Sequence, residues 1–402
     1  MTTIVGIDWS RKSHQVNIYN EHGKQLTKRT IKHDYDGFQE LHTLIQGLES
    51  DPSNCLMAIE TDHNQLVDFL SANGYSLYIV APSVVKASRG RQGHAGVKTD
   101  DRDADLLADI LRTDRKRLSL WKADHLNTRQ LRVKLGWLDD LTLAIGRGHN
   151  RLEAHLLRYY PQAVDVFSDL TTQIALQLII AYPSPAAAAR VDQKQFTAFC
   201  HQHAYKHPQR IAKAYARFQR PAPFTDLVTE TAFADITPDI ARRLLMDVQA
   251  KADLLRKLQR QFATHSDAHI FASFPGSGPI LGPKLLTIFG DHRDRYPTAN
   301  AVRALAGTAP GTDQSGNRRV IFFRKACNRP WRHTFQQLAF ASIRTAPWAA
   351  LYFEKARLRG LSKSHALRCL ANRWVGIIWT CWQRRQPYDE AIHLQNLKRY
   401  AR

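Results

Sequence analysis

Acidic residues and long apolar runs are both scarce in this chain of 402 residues. It carries 36 Asp and Glu against 57 Lys and Arg, which gives a formal net charge of +21. A chain this basic attracts polyanions such as nucleic acid or anionic membrane surfaces, which argues against an ordinary metabolic enzyme. The longest apolar stretch, residues 174–182, reaches half of the roughly 18 residues that a membrane span needs. We therefore expect no membrane-spanning segment.

Export signals and paired cysteines are missing as well. The N-terminus has no basic segment before its first apolar stretch, so it does not resemble a signal peptide. The five cysteines are scattered, which is typical of reduced thiols in a cytoplasmic protein. A hydrophobic fraction of 44% with eight tryptophans excludes a disordered polycation. The length predicts two or three domains, at about 150 residues each.

The first 80 residues alternate between strand and helix patterns. Short apolar or alternating runs predict three strands in an antiparallel meander, followed by helices that alternate with two more strands. This mixed α/β layout is of the kind seen in ribonuclease-H-like domains, and we assign it to residues 1–120. The predicted strands are 3–8, 14–19, 26–31, 55–60 and 76–80, and the predicted helices are 37–48 and 64–72.

Two long amphipathic helices are predicted further along the chain. Apolar residues recur at helical spacing from Leu131 to Leu157, and again in a helix predicted to begin with Thr237 as N-cap and Pro238 at its first position. Two helices of similar length favour a coiled-coil arm or a dimerisation element. We assign 121–160 and 237–267 to this element, 161–236 to a helical insertion of unknown role, and 268–402 to a mostly helical C-terminal domain.

Four carboxylates stand where strands end or a helix begins. Asp8 and Glu60 each end a predicted strand. Asp100 and Asp103 lie three residues apart on one face at the start of a helix, for which Thr99 or Asp100 is well placed as the N-cap. Taken singly, each is explained as a helix cap or a solvated strand end. The ordered set favours a site for Mg²⁺, which prefers carboxylate oxygen and assists phosphoryl transfer. Fallback ligands are Asp62 in place of Glu60, and Asp101, Asp105 and Asp109, of which Asp101 points off the helical face.

A serine lies at the start of the most basic part of the chain. Residues 316–402 hold 18 Lys and Arg against 3 Asp and Glu, so they carry a surplus of 15 positive charges. Ser315 is followed by Gly316 and then by an arginine-rich segment. A serine hydroxyl needs a base or a metal to become a nucleophile, and arginines stabilise the charge that develops on phosphorus. By composition alone, Ser315 and Gly316 read as an ordinary loop with a turn.

Glycines at 276 and 278 mark a second candidate phosphate contact. The segment FPGSGPILGPKLL resembles a helix-hairpin-helix, whose turn offers backbone N–H groups to a phosphate, although a plain helix–helix turn explains it as well. The predicted nucleic-acid contacts are Arg89, Arg91, Lys98, Gly276, Gly278, Lys284, Arg318, Arg319, Arg324, Lys325, Arg329 and Arg332.

Two other clusters favour structural roles. Cys200 lies near His201, His203 and His207, but no second CxxC or HxxxH half completes a tetrahedral zinc site. Trp374 and Trp382 recur at near-helical spacing, which favours core packing over stacking on bases.

Six segments in order resemble one known family, the DEDD transposases of bacterial insertion sequences, which also includes the Piv-type DNA invertases. The segments are GIDWS, AIETD, KTDDRDADLLA, FPGSGPILG, ALAGTAP and QSGNRR. The resemblance covers about residues 1–160 and 235–385, and leaves the insertion unmatched.

The resemblance implies a RuvC-like N-terminal domain and a C-terminal transposase domain. It carries the tetrad onto Asp8, Glu60, Asp100 and Asp103 as Mg²⁺ ligands, and the nucleophile onto Ser315. It further implies a tetramer built from dimers and a structured non-coding RNA that pairs with donor and target DNA. Strand exchange in this family passes through a 5′-phosphoserine and a Holliday junction.

One departure and two alternatives accompany this interpretation. The family usually has Ser-Lys-x-Gly soon after the catalytic serine, and residues 324–327 read Arg-Lys-Ala-Cys here, while Ser315 keeps its own Ser-Gly motif. The first alternative is a metal-only, RuvC-like Holliday-junction nuclease in which Ser315 is incidental. The second is a non-enzymatic nucleic-acid scaffold.

Overall fold

The computed structural model describes residues 2–62, 64–92, 99–316 and 318–400. Its internal contacts divide the chain into two compact units, Met1–Asp124 and His125–Arg402. The first unit is built on one mixed sheet, and the second consists mainly of helices. The predicted combination of an α/β N-terminal region with a mostly helical remainder is confirmed.

A five-stranded sheet with the order β3-β2-β1-β4-β5 forms the first unit. The first three strands form the predicted antiparallel meander, and β4 and β5 run parallel to β1. This arrangement is consistent with a ribonuclease-H-like domain. The strands are β1 (Thr3–Asp8), β2 (Ser13–Asn20), β3 (Gln25–Lys32), β4 (Cys55–Ile59) and β5 (Ser76–Ile79).

Helices cover both faces of this sheet, so β1 and β4 are buried on each side. Val5 and Ile7 of β1 join the core with α1 and α2, whereas Ile4 joins the core with α4. The predicted cap Thr99 accepts a hydrogen bond from the backbone N–H of Arg102 at the start of α4. The helices are α1 (Tyr35–Leu48), α2 (Gln65–Ala72), α3 (Pro82–Ser88) and α4 (Asp100–Asp114).

Helix α4 approaches β1 more closely than any side chain on the strand would permit. A Cβ placed on Gly6 would lie 1.9 Å from the carbonyl oxygen of Ala104 and 2.7 Å from the backbone nitrogen of Ala108. The missing side chain at Gly6 therefore lets two backbones pack directly, and this contact sets the position of α4 over the sheet.

The second unit begins with two long antiparallel helices separated by four shorter ones. Near one end, the Asn127 side chain lies 3.3 Å from the Thr264 hydroxyl, and near the other end the ring of Tyr159 packs beside Phe233. The predicted long helices are thus confirmed as an antiparallel pair within one chain. The helices are α5 (Leu126–Tyr159), α6 (Gln173–Ala181), α7 (Pro185–Ala189), α8 (Gln193–Gln202), α9 (Pro208–Phe218) and α10 (Leu227–Ala263).

The predicted start of the second long helix is wrong. Helix α10 begins ten residues before Thr237, where the Asp226 side chain caps it by accepting from the Thr229 N–H. Thr237 and Pro238 are buried inside the helix instead. Proline is usual at a helix start, but tertiary packing of this buried segment outweighs the missing backbone N–H.

The rest of the second unit packs around one large aromatic core. Trp374 and Trp382 are fully buried in it, which confirms their predicted structural role. Cys200 is buried in a separate core beneath the insertion, and burial raises the pKa of its thiol to about 11. The elements are α11 (Ala268–Ala272), α12 (Gly278–Phe289), α13 (Ala299–Leu305), β6 (Gly311–Ser315), β7 (Arg318–Phe322), α14 (Arg329–Ser342), α15 (Pro347–Leu358), α16 (Lys363–Arg384) and α17 (Glu390–Tyr400).

Membrane insertion finds no support in these helices. Within the described ranges, none of them is both long enough and apolar enough to cross a bilayer.

The contact at Gly6 leads to a stability prediction. Gly6→Ala should lower the free energy of unfolding by about 3 kcal/mol, because the new methyl group must push α4 away from β1. The matched control is Gly47→Ala, since Gly47 is exposed in α1 and a Cβ there meets nothing within 4 Å. It should raise stability by about 0.5–1 kcal/mol. Both values come from urea unfolding, and a Gly6→Ala protein as stable as wild type would show that α4 shifts freely.

Candidate functional site

Asp8 and Glu60 lie side by side at the carboxyl ends of two parallel strands. The last paired residues of β1 and β4 are Ile7 and Ile59, and each acid is the next residue of its chain. Neighbouring strands lie about 4.8 Å apart. By alternation, both acids project to the face of the sheet that α4 covers, as Gly6 does. The fold therefore places these two predicted residues at the ends of adjacent strands.

Helix α4 brings the other two predicted carboxylates to the same face of the sheet. Asp103 immediately precedes Ala104, whose carbonyl faces Gly6, and its side chain is 5% exposed. Asp100 is exposed in the first turn of the helix. The close packing at Gly6 thus places Asp103 beside the strand that carries Asp8.

The guanidinium of Arg89 balances the charge of Asp103. Arg89 NH2 lies 3.1 Å and 3.3 Å from the two carboxylate oxygens. Burial makes an uncompensated carboxylate costly, so this position needs either the arginine or a metal ion. Arg89 was predicted to contact nucleic acid, and its partner in the structure is this acid.

The donor set suits a hard divalent cation. Asp8, Glu60 and Asp103 offer carboxylate oxygens from three elements that converge on one face, which is the chemistry that Mg²⁺ prefers. In the part of the chain that the structure describes, no three His, Cys, Asp or Glu side chains are already gathered to hold a metal. An ion held by all three carboxylates would require their side chains to move closer together.

Asp101 and Asp105 of α4 belong to a separate polar cluster with residues of β2 and β3. Asp101 accepts from Asn17 Nδ2 at 2.9 Å and pairs with Lys28 Nζ at 2.8 Å. Asp105 accepts from Asn17 Nδ2 at 2.6 Å and from the Tyr19 hydroxyl, and the pKa of Tyr19 is raised by burial and by this bond. Asp101 therefore points away from the strand ends, as the helical spacing predicted. Of the remaining fallback ligands, Asp109 lies 2.9 Å from Arg112 NH2, and Asp62 lies in the loop after β4.

A chain of hydrogen bonds links the loops that follow the two strand-end acids. The Ser10 N–H donates to His14 Nδ1 at 3.4 Å, His14 Nε2 lies 2.9 Å from His33 Nδ1, and His33 Nε2 lies 3.1 Å from Gln65 Oε1. Because a backbone N–H only donates, the proton of His14 is assigned to Nε2. Burial, and then His33, lower the pKa of His14 to about 4. The contact between His14 and His33 was not predicted from the sequence, where the alternation of polar and apolar residues in β2 was the only indication that His14 faces inward.

Ser315 stands at the end of an exposed hairpin. It is the last residue of β6 and pairs with Arg318, the first residue of β7. Gly316 follows in the left-handed region, at φ +56°, as tight hairpin turns require. A hairpin corrects the expectation of an ordinary loop. The exposed hydroxyl with a guanidinium directly opposite suits attack on a phosphate.

The base of the hairpin is held by cation–π contacts. The guanidiniums of Arg332 and Arg368 each lie 4.4 Å from the ring centroid of Phe323. Arg332 also donates to the carbonyl of Arg324 and, at 2.6 Å, to Cys327 Sγ. Arg332, which was predicted to contact nucleic acid, therefore has partners within the protein. One of them, Cys327, stands where the Ser-Lys-x-Gly pattern of the resembled family has its glycine.

The other predicted contacts divide by exposure. Lys284 Nζ forms an ion pair with Asp139 Oδ1 at 2.6 Å, so a protein partner already holds it. A Cβ on Gly276 would lie 2.7 Å from Ala341 Cβ, which explains that glycine by packing against α14. Gly278 is exposed at the start of α12. Arg318, Arg319, Lys325 and Arg329 are exposed, Arg324 is half-buried, Arg91 lies in the turn after α3, and Lys98 falls outside the described residues.

One array that resembles a catalytic triad is structural. His265 Nε2 lies 3.0 Å from Asp291 Oδ1 and 2.9 Å from the Thr128 hydroxyl, with His265 and Asp291 both 5% exposed at the side chain. Burial by itself raises the pKa of Asp291. Hydrogen bonds from His265, the His125 N–H and Thr128 outweigh this effect and lower the pKa to about 2. The array joins α5 to the segments that follow α10 and α12, and its two ionisable side chains are almost fully buried.

Two family models match the chain on either side of the insertion. One, described as a transposase and named for the DEDD proteins of IS110, matches residues 5–161. The other, described as a transposase of the IS116/IS110/IS902 family, matches residues 268–354. A candidate transposase of the IS117 mini-circle from Streptomyces coelicolor is 30% identical over 97% of this chain and 96% of its own length. The chain belongs to the IS116/IS110/IS902 transposase family.

Other relatives share this full-length similarity. The 42 kDa protein of IS900 from Mycobacterium paratuberculosis is 24% identical over 96% of this transposase and 97% of its own length. The 44.8 kDa protein of IS116 from Streptomyces clavuligerus is 28% identical over 81% of each chain. Membership makes the chain a transposase of an insertion element, which cleaves and rejoins DNA, and DEDD-type transposases typically use a divalent metal.

Replacing Arg89 tests whether a cation substitutes for it at Asp103. Arg89→Gln should lower the free energy of unfolding in EDTA by about 1–2 kcal/mol, a value reduced because Arg89 is partly exposed. Magnesium should restore most of this loss, because it supplies the missing positive charge. The control is Arg112→Gln, whose partner Asp109 is itself 30% exposed at the side chain. Urea unfolding with and without Mg²⁺ measures the effect, and an equal magnesium response in both variants would contradict a metal at Asp103.

Proposed function

We propose that this transposase is an RNA-guided, site-specific DNA recombinase with Ser315 as its nucleophile. The observation that carries the proposal is the position of Ser315 at the exposed tip of the hairpin, directly opposite Arg318. A nucleophile must reach a phosphate in a bulky duplex, and a hairpin tip is among the parts of the chain least hindered for this approach. Arg318 would stabilise the negative charge that develops on the phosphate.

The proposed reaction conserves the energy of the phosphodiester. Ser315 Oγ loses its proton and bonds to phosphorus, and the bond from phosphorus to the 3′ oxygen breaks. One side of the break takes up a proton and leaves as a free 3′ hydroxyl. The other side of the break stays attached to the protein as a 5′-phosphoserine. The 3′ hydroxyl of the exchanged strand then attacks phosphorus and releases the serine. Exchange of one pair of strands in this way gives a Holliday junction without ATP.

The carboxylates would serve the same reaction through Mg²⁺. Asp8, Glu60, Asp100 and Asp103 are the residues that would hold it, and the ion would offset phosphate charge and lower the pKa of an attacking hydroxyl. Asp8 and Glu60 supply two adjacent ligands because their strands are parallel and in register. Arg89 orients the Asp103 carboxylate through its ion pair at 3.1 Å.

Charge supports an RNA partner besides donor and target DNA. The surplus of 15 positive charges after Ser315 exceeds what one short DNA contact needs, since each neutralised phosphate requires one cation. We propose that a structured RNA from the element's non-coding end pairs with both DNAs, and that the recombinase assembles as a tetramer of two dimers. The exposed Trp137 and Val133 on α5 offer apolar surface for such assembly.

Covalent trapping tests the serine mechanism. Full-length protein with its co-purifying RNA, end-labelled junction DNA and Mg²⁺ should give a labelled adduct that protease removes. Ser315→Ala should abolish the adduct, and Asp8→Asn should reduce it by about 100-fold or more, because loss of a charge-stabilising group costs roughly that factor. The matched control is Ser266→Ala, which changes an exposed serine between α10 and α11.

A specific observation favours one alternative, the metal-only nuclease. Asp8 and Glu60 lie at the ends of two adjacent strands of the first unit, and Ser315 belongs to the second unit. This alternative predicts protein-free products and full activity of Ser315→Ala. Cleavage without an adduct, unchanged in Ser315→Ala, would replace the recombinase proposal with the nuclease.

RNA dependence is tested separately. Treatment of the purified complex with ribonuclease should abolish sequence-selective cleavage while salt-sensitive, non-selective DNA binding remains, because the basic surface persists. Adding back the extracted RNA should restore selectivity. Cleavage at the same site after complete RNA removal would contradict RNA guidance and leave the serine chemistry in place.

A further inference from the structure

The two faces of the β6–β7 hairpin differ in what they present. Directly paired residues of an antiparallel ladder project to the same side, and successive residues alternate. We call the side with Ser315 the serine face and the other side the opposite face. The serine face consists of Gly311, Asp313, Ser315, Arg318, Val320 and Phe322, and the opposite face of Thr312, Gln314, Arg319 and Ile321.

The serine face leaves apolar surface uncovered next to the nucleophile. Val320 is 40% exposed and Phe322 is 50% exposed, although the Phe322 ring already covers Gly311, where a Cβ would lie 2.4 Å from it. An isolated two-stranded hairpin is marginal in water, and this one is anchored at its base by Phe323 between two arginines. The exposed part of the serine face therefore takes little part in holding the hairpin.

Charge identifies the kind of partner. Arg318 adds a positive charge to the serine face and Asp313 a negative one, whereas Arg319 on the opposite face and Lys325 just after the hairpin add two more positive charges. A partner that satisfies both must be negatively charged and also offer apolar surface, which nucleic acid does through its phosphates and base faces. A second copy of this hairpin would place like charges together, so self-association on this face is disfavoured.

Spacing relates Val320 to the phosphate that Ser315 would attack. Ser315 is paired with Arg318, so Val320 is its diagonal neighbour, at about 7–8 Å between Cα atoms. A strand whose phosphate touches Ser315 and Arg318 therefore brings an adjoining nucleotide to Val320. Base faces are hidden in stacked DNA, and apolar side chains reach them only when a base step opens.

We propose that the serine face binds DNA with the base step beside the attacked phosphate unstacked, and that Val320 and the exposed edge of Phe322 pack against the opened base. This inference rests on the proposed contact between Ser315 and a phosphate, and deepens it by naming the form of DNA recognised. An opened step frees the backbone locally, so the cleaved 3′ end can leave its stack and enter a new duplex. Val320 is a positioning residue in this scheme, and it takes no part in bond breaking.

The test compares two threonine substitutions on neighbouring residues. Val320→Thr keeps the β-branched shape that suits a strand and adds a hydroxyl to the serine face. Ile321→Thr is the matched control, because Ile321 is 63% exposed on the opposite face and loses more apolar surface. Full-length protein with its co-purifying RNA is mixed, in EDTA, with junction DNA that carries 2-aminopurine beside the mapped cleavage site. Circular dichroism verifies that both variants fold.

Unstacking of 2-aminopurine raises its fluorescence. Wild type and Ile321→Thr should give the same rise, and Val320→Thr should give it with about fivefold weaker affinity, as expected for a lost apolar contact. A probe in the middle of the flanking duplex should not respond. With Mg²⁺ added, covalent adduct should form more slowly in Val320→Thr alone.

Three outcomes would overturn the inference. The first is that Val320→Thr gives the fluorescence rise at wild-type affinity. The second is that both variants lose affinity equally. The third is that Val320→Thr without DNA loses self-association in sedimentation. The proposed serine chemistry fails separately, since it predicts the adduct whether or not the base step opens. A fluorescence rise that depends on Val320, without any covalent adduct, supports the proposed DNA contact and rules out Ser315 as the nucleophile. An adduct without the fluorescence rise supports Ser315 as the nucleophile and rules out the unstacked base step.

Discussion

The direct contact between the backbones of β1 and α4 is the constraint on which the first unit depends. With a Cβ on Gly6 only 1.9 Å from the Ala104 oxygen, nothing larger than hydrogen fits between strand and helix. The consequence reaches the candidate site, because Asp8 lies two residues after Gly6 and Asp103 lies one before Ala104. The separation of these carboxylates is therefore set by packed backbone, which is stiffer than any side-chain contact. Parallel pairing of β1 with β4 then adds Glu60.

The two candidate sites, each within its own unit, carry opposite charges. The strand ends collect carboxylates, of which Asp103 is buried and balanced by Arg89, and the hairpin collects guanidiniums around an exposed hydroxyl. A phosphate is attracted by the hairpin, and it is repelled by the strand-end carboxylates unless a cation is present. The strand-end carboxylates can therefore engage a phosphate only with a cation, whereas the hairpin needs none.

The order of elements in the first unit was predictable because its signals are local. Apolar β-branched runs, the cap at Thr99 and the alternation in β2 each depend on neighbours in sequence, and the structure confirms them. Contacts between distant segments were not predictable. The ion pair of Lys284 with Asp139 and the contact of Arg332 with Phe323 give protein partners to two residues that were predicted to contact nucleic acid. The hairpin was missed because its first strand is mostly polar and its second strand is exposed on both faces, so neither shows the alternation of a half-buried strand. Pro238 was misleading because its burial inside α10 outweighs the usual preference of proline for a helix start.

The paired helices α5 and α10 pass through both hydrophobic cores of the second unit. Leu131 of α5 lies in the aromatic core with Trp374, whereas Leu156 lies in the core of the insertion. A helix of 34 residues such as α5 is about 51 Å long at 1.5 Å per residue, which equals about 15 base pairs of B-DNA at 3.4 Å each. The pair thus spans from the core of the insertion to the aromatic core, and it holds the two cores apart within the second unit.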